Sequence, residues 1–275
     1  MRWLLRFLLL AAWSAAAHAQ QAVRVPVPMA TGTLQLGAQL YRPSAPGKHP
    51  AVAIFHGCGG VGVNNTHMAE LLKGWGYVAL VVDSFTARHM TDVCGKHWPT
   101  QRDAEERVHD IDYSLLWLSQ QSFVDRERLA FIGYSYGGGV ALLRAFTPRT
   151  DERIPRAAAA VLVYPDCGLG EPLKPTPVPQ QPTMFAMGEL DDWTPVAQCQ
   201  ALLSGVKRTD WVETHIYPGA SHSFDALGLP VRYLPHVGNR SKPGGCCGAH
   251  YGGNERAFNA FVVDLKAFLA RHLMR

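Results

Sequence analysis

The feature that most constrains the fold is an alternation, from Pro50 onward, between short apolar β-branched runs and longer amphipathic stretches. Short apolar runs of this kind are typical of parallel strands buried on both faces, and the amphipathic stretches between them are typical of covering helices. The pattern therefore predicts an α/β fold with a mostly parallel sheet and helices on both faces. The predicted strands are residues 51–55, 77–82, 129–133, 159–164, 183–187 and 212–217.

Other patterns complete this predicted sheet. Residues 23–27 and 33–41 flank Thr31-Gly32 and are typical of an antiparallel hairpin. The Pro-rich connection 171–182 is too short for a helical lid, so we expect an open pocket without a lid domain. Apolar residues three and four positions apart predict two helices. One carries Val108, Ile111, Leu115 and Leu118; the last, expected at the sheet edge, carries Phe258, Phe261, Val262, Leu265, Phe268, Leu269 and Leu273.

Residues 1–19 have the pattern of a secretory signal peptide. The segment starts with basic residues, continues with a short apolar run and ends in Ala17-His18-Ala19, which predicts a mature start at Gln20. The alternative is a retained anchor, but the run is short for spanning a bilayer. We therefore expect an exported protein, periplasmic or extracellular, with no membrane contact after cleavage. Residues 20–275 are predicted to form a single domain.

Charge and cysteine content narrow the range of functions. Only 17% of the residues are charged and 47% are hydrophobic, which excludes a disordered tail or an arginine-rich nucleic-acid binder. The six cysteines are expected to form disulfides after export, and six cysteines allow fifteen pairings. Cys246-Cys247 with His250 is too sparse for a metal site, and no CxxC pair is repeated, so no metal is predicted.

A G-x-S-x-G sequence, Gly133-Tyr134-Ser135-Tyr136-Gly137, lies between a predicted strand and a helical pattern. The sequence alone is a weak signal in a chain rich in glycine, and the strand-turn-helix setting is what gives it weight. In that setting the serine occupies a sharp turn and its hydroxyl is exposed over the sheet. Ser135 is therefore the candidate nucleophile.

A serine nucleophile needs a histidine base and an acid that orients it. His222 lies just beyond the last predicted strand, and the loop after the preceding strand carries Asp191 and Asp192. The chain order serine, acid, histidine is that of α/β-hydrolases. Asp191, Asp192 and Asp225 remain alternatives for the acid.

Ester cleavage also needs two donors for the oxyanion, usually backbone N–H groups. We predict the amide of Tyr136, directly after the nucleophile, and the amide of Cys58 in the turn His56-Gly57-Cys58-Gly59-Gly60. The alternative interpretation of this turn is a simple tight connection. A phosphate loop is excluded because no Gly-Lys-Ser/Thr follows.

From about Pro50 to its end, the chain resembles the dienelactone hydrolase family of α/β-hydrolases. The resemblance implies the α/β-hydrolase fold and hydrolysis of a small carboxylic ester or lactone through an acyl-enzyme, with no cofactor. In this family a proline follows the acid four residues later, which favours Asp191, with Pro195, over Asp192. The motifs that carry the resemblance are His56-Gly57-Cys58-Gly59-Gly60, Asp83-Ser84-Phe85-Thr86-Ala87-Arg88, Gly133-Tyr134-Ser135-Tyr136-Gly137-Gly138, and residues 188–195 with 219–224.

The sequence departs from the founding family members at several positions. They use a cysteine nucleophile held by a glutamate, where this chain has Ser135 and His56. They bind the substrate carboxylate with two arginines; Arg88 matches the first, whereas Asp225 occupies the second and would repel an anion. Arg88 is therefore predicted to bind substrate, or alternatively to pair with Asp83 or another loop acid. Trp193, beside the acid, is the second predicted substrate-binding residue.

The resemblance also implies a Cys167–Cys199 disulfide that braces the acid loop. The disulfide partner of Cys94 remains open: it is either Cys58 or one of the Cys246-Cys247 pair. Residues 225–253 are expected to form one wall of the pocket. Together these observations predict an exported serine esterase that uses Ser135, Asp191 and His222. The alternatives are a dienelactone hydrolase (carboxymethylenebutenolidase) proper, a peptidase or acyltransferase on this fold, and a non-catalytic binding protein.

Overall fold

The computed structural model describes residues 20–95 and 99–274, so the predicted signal peptide lies outside the described residues. The strands are β1 (Gln21–Met29), β2 (Gly32–Tyr41), β3 (His49–Phe55), β4 (Val78–Asp83), β5 (Val124–Tyr134), β6 (Ala159–Val163), β7 (Thr183–Gly188), β8 (Val212–Tyr217), β9 (Arg232–Leu234) and β10 (Ala249–Tyr251). The α-helices are α1 (Val63–Gly74), α2 (Gln101–Ser119), α3 (Tyr136–Phe146), α4 (Val196–Leu203) and α5 (Glu255–Leu273).

Eight strands form one sheet in the order β1-β2-β4-β3-β5-β6-β7-β8. From β4 to β8 every neighbouring pair is parallel, whereas β1 pairs with β2, and β2 with β4, in antiparallel register. This is the α/β-hydrolase sheet with the N-terminal hairpin that the sequence predicts. β9 and β10 form a separate antiparallel pair that the sequence patterns did not indicate.

Alternate residues of the central strands belong to two hydrophobic clusters, one on each face of the sheet. In β3, Ala53 and Phe55 pack in the cluster that contains α2, α3 and α4, whereas Val52 and Ile54 pack in the cluster that contains α1 and α5. Because both faces are covered, the runs 51–55, 78–82 and 129–132 within these strands are apolar at every position. Helices therefore cover both faces of the sheet, and the loops at the carboxyl ends of its strands extend from this core.

The two predicted helices are present. α2 begins after Thr100, whose hydroxyl accepts a hydrogen bond from the Asp103 backbone N–H at 3.2 Å, and its apolar face is buried. α5 begins after Asn254, which caps the Ala257 N–H at 3.0 Å. It packs across β5, β6, β7 and β8, on the face of the sheet and not at its edge as predicted. No helix in the described ranges is long and apolar enough to cross a membrane.

Candidate active site

Ser135 occupies a sharp turn between β5 and α3. Its φ of 54° and ψ of −118° lie in a region that L-residues rarely adopt. A β-carbon on Gly133 would lie 2.2 Å from the carbonyl oxygen of Gly137, and one on Gly137 would lie 2.3 Å from the carbonyl oxygen of His56. These distances leave no room for a side chain. The two glycines therefore allow the strand and the helix to pass closely enough to form the turn.

The structure brings Ser135, His222 and Asp191 together. His222 Nε2 lies 2.9 Å from Ser135 Oγ, and His222 Nδ1 lies 2.8 Å from Asp191 Oδ2. All three side chains are buried. In such a chain of hydrogen bonds the imidazole can accept the serine proton while the carboxylate fixes the ring's tautomer and orientation.

The turn that begins at Asp191 orients its carboxylate. Oδ1 accepts hydrogen bonds from the backbone N–H groups of Trp193 at 2.9 Å and Thr194 at 2.8 Å. Oδ2 is then directed at His222, with the Thr194 hydroxyl 3.0 Å away. The backbone N–H groups of this turn therefore determine which carboxylate oxygen faces the histidine.

The two alternative acids have other partners. Asp192 accepts from the His250 backbone N–H at 2.7 Å and lies 2.8 Å from the Nδ1 of that ring. Asp225 accepts from the Tyr164 hydroxyl at 2.8 Å and from the Asn64 amide at 3.0 Å. Burial raises the pKa of the Asp225 carboxyl. Of the three aspartates that the sequence leaves open, Asp191 is the one hydrogen-bonded to the histidine.

A cavity of about 270 Å³ opens over Ser135. The rings of Trp193 and Tyr164 lie against the His222 ring, with centroid distances of 4.8 and 4.7 Å. The indole Nε1 of Trp193 donates to the carbonyl of Gly238 at 2.8 Å, so its polar edge is fixed. Trp193 thus lines the cavity, as predicted for a substrate-binding residue, and also packs on the histidine.

The segment of residues 225–253 supplies one wall of this cavity, as the sequence predicts. Leu234, Val237 and Tyr251 line it. The buried Asn239 ties the segment to the acid loop, because its Nδ2 donates to the carbonyls of Asp192 and Gly248 at 2.9 Å each. The two ends of the segment are adjacent. Phe224 precedes the segment and Asn254 follows it, and the Asn254 backbone N–H donates to the Phe224 carbonyl at 2.8 Å.

Both predicted oxyanion donors adjoin the nucleophile. Tyr136 follows Ser135 at the first position of α3, and Cys58 lines the cavity. A β-carbon on Gly57 would lie 3.2 Å from Ser135 Cβ, so the backbone of this turn packs directly against the serine. The two backbone segments that carry the predicted oxyanion donors therefore lie beside Ser135.

His56 and Arg107 support the turn from its buried side. His56 Nε2 accepts the Ser84 backbone N–H at 3.1 Å, which leaves Nδ1–H to donate to the Gly57 carbonyl at 2.7 Å. Arg107 donates to the His56 carbonyl at 2.7 Å. Burial, followed by the Arg107 charge, lowers the pKa of His56 to about 3, so the ring is neutral at physiological pH. Sequence reasoning missed Arg107, although it precedes Ile111 by one turn on the buried face of α2.

The structure does not bring Arg88 to this cavity. Its guanidinium donates to both carboxylate oxygens of Asp110, at 2.9 and 2.7 Å, and to the Ser84 carbonyl at 2.6 Å. The predicted substrate-binding role of Arg88 is therefore corrected to that of an ion pair inside the fold. Its partner belongs to α2, whereas Asp83 accepts from the backbone N–H groups of Phe85 and Thr86 at 2.9 and 3.0 Å.

Disulfides brace two of the loops at the site. Cys167 is bonded to Cys199, the pairing that the family resemblance implies, and this bond joins the segment after β6 to α4 behind the acid loop. Cys58 is bonded to Cys94, so the oxyanion turn is joined to the loop after β4. The third bond links the adjacent residues Cys246 and Cys247.

Residues 36–239 match the sequence model of the dienelactone hydrolase family. This chain belongs to that family. The family member described here is a carboxylic ester hydrolase with the α/β-hydrolase fold, and its substrates are small molecules.

Three known proteins are similar to this chain in sequence or in fold. A Bradyrhizobium sp. protein named "Probable 2-oxo-3-(5-oxofuran-2-ylidene)propanoate lactonase" is 28% identical over 198 residues, which cover 68% of this chain and 78% of that protein. The carboxymethylenebutenolidase of Pseudomonas putida is 27% identical over 122 residues, 44% of this chain and 48% of the enzyme. Thermogutta terrifontis esterase 2, solved as the form phosphorylated by paraoxon, superposes with a TM-score of 0.63 at 18% identity, covering 92% of this chain and 94% of the esterase.

Proposed function

We propose that this family member is an exported serine esterase in which Ser135 is the nucleophile, His222 the general base and Asp191 the orienting acid. The observation that carries the proposal is the unbroken hydrogen-bonded chain from Ser135 Oγ through the His222 ring to Asp191 Oδ2, with both distances below 3 Å. A serine hydroxyl is a weak nucleophile unless a neighbouring base accepts its proton. The burial of all three groups keeps water from competing for these hydrogen bonds.

The proposed reaction has two steps. His222 Nε2 accepts the proton as Ser135 Oγ bonds to the ester carbonyl carbon, and the N–H groups of Cys58 and Tyr136 stabilise the oxyanion. The imidazolium then gives its proton to the departing alkoxide, which leaves as an alcohol. In the second step His222 removes a proton from water as the water oxygen bonds to the acyl carbonyl carbon. The bond between that carbon and Ser135 Oγ then breaks, His222 returns the proton to Oγ, and the carboxylic acid is released.

Export is the second part of the proposal. The basic and apolar pattern of residues 1–19 ends at a small-x-small site. Disulfides persist in oxidising compartments and are rare in the cytosol, so the pairing of Cys58 with Cys94 and of Cys167 with Cys199 supports the same location. N-terminal sequencing of the protein recovered from a periplasmic fraction or from medium tests this, with Gln20 the expected first residue.

The test of the catalytic assignment combines a fluorophosphonate probe with hydrolysis of p-nitrophenyl acetate by the mature protein. Ser135→Ala is expected to abolish labelling and turnover. Asp191→Asn is expected to lower kcat by about 10⁴, the loss known for such a change in a serine protease triad. Asp192→Asn, the matched control at the adjacent position, is expected to change kcat less than about threefold because its carboxylate binds His250 instead.

Two of the alternative functions, acyltransferase and binding protein, give different results in the same assays. An acyltransferase would hydrolyse the ester faster when a small alcohol is added, because the alcohol would resolve the acyl-enzyme. Equal losses for Asp191→Asn and Asp192→Asn would reject the assigned acid. A folded wild-type protein that is neither labelled nor active would reject the esterase proposal and favour the binding-protein alternative.

A further inference from the structure

A second cavity, of about 540 Å³, adjoins the cavity over Ser135. Gly62, Asn64 and Tyr251 line both cavities. The two spaces therefore meet at these three residues, between the start of α1 and the segment of residues 225–253. A ligand group that goes from the space over Ser135 into the second cavity would pass these three residues.

The second cavity presents apolar side chains to solvent. Val63 is 84% exposed, Leu227 is 44% exposed and Leu229 is 42% exposed, and all three line it. An apolar ligand group would remove these side chains from water together with its own surface. Each methylene fully removed from water in this way favours binding by about fourfold.

A carboxyl group lies in the second cavity, next to one of the three shared lining residues, Asn64. Asp225, 4% exposed, lines the second cavity, and its carboxylate is fixed by the Tyr164 hydroxyl and the Asn64 amide at 2.8 and 3.0 Å. Asp92 lines the first cavity, and the exposed ring of His67 lines the second. Among the described lining residues of either cavity there is no lysine or arginine. A carboxylate bound here would face a fixed acid with no cation to neutralise it.

We propose that the second cavity binds an uncharged apolar group of the ester and that Asp225 excludes substrates whose group ends in a carboxylate. The substrate class is then a neutral ester with an extended alkyl or aryl group, on either the acyl or the alcohol side. This inference rests on the proposed esterase function, because it requires the ester carbonyl at Ser135.

The first test measures kcat/KM for two neutral series, p-nitrophenyl esters from acetate to octanoate and alkyl acetates of increasing length. A rise of at least about tenfold along one series is expected, which corresponds to two or more buried methylenes. Leu229→Ser is expected to lower the ratio of long-chain to acetate kcat/KM by about fourfold. Val263→Ser is the matched control, since Val263 is 67% exposed on α5 and lines neither cavity; it is expected to leave that ratio unchanged.

The second test examines charge with two esters of equal chain length. Wild-type protein is expected to prefer p-nitrophenyl pentanoate over the p-nitrophenyl monoester of glutaric acid by at least tenfold in kcat/KM. Asp225→Asn, which keeps an acceptor oxygen for the Tyr164 hydroxyl, is expected to reduce that preference by about tenfold. If Asp225→Asn fails to fold, the wild-type preference between these two esters still tests the exclusion of carboxylates, and Leu229→Ser still tests the apolar cavity.

Values of kcat/KM that do not change along either series, together with no effect of Leu229→Ser, would overturn the inference. The esterase proposal would remain intact in that case if the fluorophosphonate probe still labelled Ser135. A preference for the glutarate monoester would also overturn it. Absence of both labelling and turnover would reject the esterase proposal, and this inference with it.

Discussion

Replacing Gly137 by alanine should damage both stability and catalysis through a single backbone contact. The added β-carbon would lie 2.3 Å from the carbonyl oxygen of His56 and 2.8 Å from that of Phe55. Both are backbone atoms at the carboxyl end of β3, so neither can rotate away as a side chain would. The N-terminus of α3 must therefore move away from β3.

The distances give the size of that movement. Ordinary contacts of a β-carbon begin near 3.4 Å, so the separation must increase by about 1 Å. Overpacking of this kind costs about 1–3 kcal/mol of unfolding free energy, and each kcal/mol lowers Tm by about 2–4 °C in a domain of this size. The movement also separates the Tyr136 amide and Ser135 from the Cys58 turn. A misplacement of about 1 Å at reacting groups costs about 10² in rate.

Urea unfolding and kcat/KM for p-nitrophenyl acetate measure the two effects separately. Gly74→Ala is the matched control, because a β-carbon at Gly74 meets nothing within 4 Å. We expect the control to be neutral or stabilising by up to about 1 kcal/mol, with unchanged kcat/KM. A Gly137→Ala protein with wild-type stability and wild-type kcat/KM would refute the argument that this glycine permits the turn at Ser135.

Three further predictions concern the surroundings of the site. The Cys58–Cys94 and Cys167–Cys199 disulfides close loops of similar length, with separations of 36 and 32 residues, so replacing either pair by serine should lower the unfolding free energy by about 3–4 kcal/mol. Only loss of the first should also lower kcat/KM of the folded protein, because it holds the oxyanion turn; equal kinetics for the two variants would contradict this. The pKa of His56 is about 3 in the folded chain against 6.5 when unfolded, so the unfolded state binds an extra proton between these values. The unfolding free energy should therefore fall as pH decreases below about 6.5, and His56→Gln should reduce that slope by up to about 1.4 kcal/mol per pH unit. Urea titrations of both proteins at pH 7 and pH 5 measure this, and an equal pH dependence for the two proteins would contradict it. Asn239→Ala removes two 2.9 Å hydrogen bonds of a buried side chain and should lower the unfolding free energy by about 2–3 kcal/mol. KM should rise more than kcat falls, and an unchanged KM would argue against a role of Asn239 in holding the cavity wall.

The sheet was predictable because its strands are buried on both faces. Continuous apolar runs therefore mark β3 to β7, and the predicted strands overlap those of the structure. The short strands β9 and β10 have three residues each, too few for any periodic pattern. Helix α1 was not predicted because its buried face, formed by Asn65, Met68, Ala69 and Leu72, includes a polar residue and gives only a short apolar pattern.

The site was predictable in its residue types and less so in its contacts. Asp191 and Asp192 are adjacent, and which of them faces His222 depends on the turn formed with Thr194 and on a partner, His250, that lies 58 residues further along the chain. Residue types alone do not contain that information, and the proline at position 195 favoured Asp191 only through the family resemblance. Arg88 was assigned to substrate by resemblance alone, whereas its partner Asp110 depends on how α2 packs against the loop after β4.

The closure of the segment of residues 225–253 has a consequence for how new specificities could arise. The chain leaves the histidine loop at Phe224 and returns to the same point at Asn254, where a 2.8 Å backbone hydrogen bond joins the two ends. A segment with adjacent ends can be exchanged for one of different length without altering the path of the chain on either side. Grafting other segments between these anchor points offers a route to enzymes that share one catalytic centre and differ in the compounds they accept.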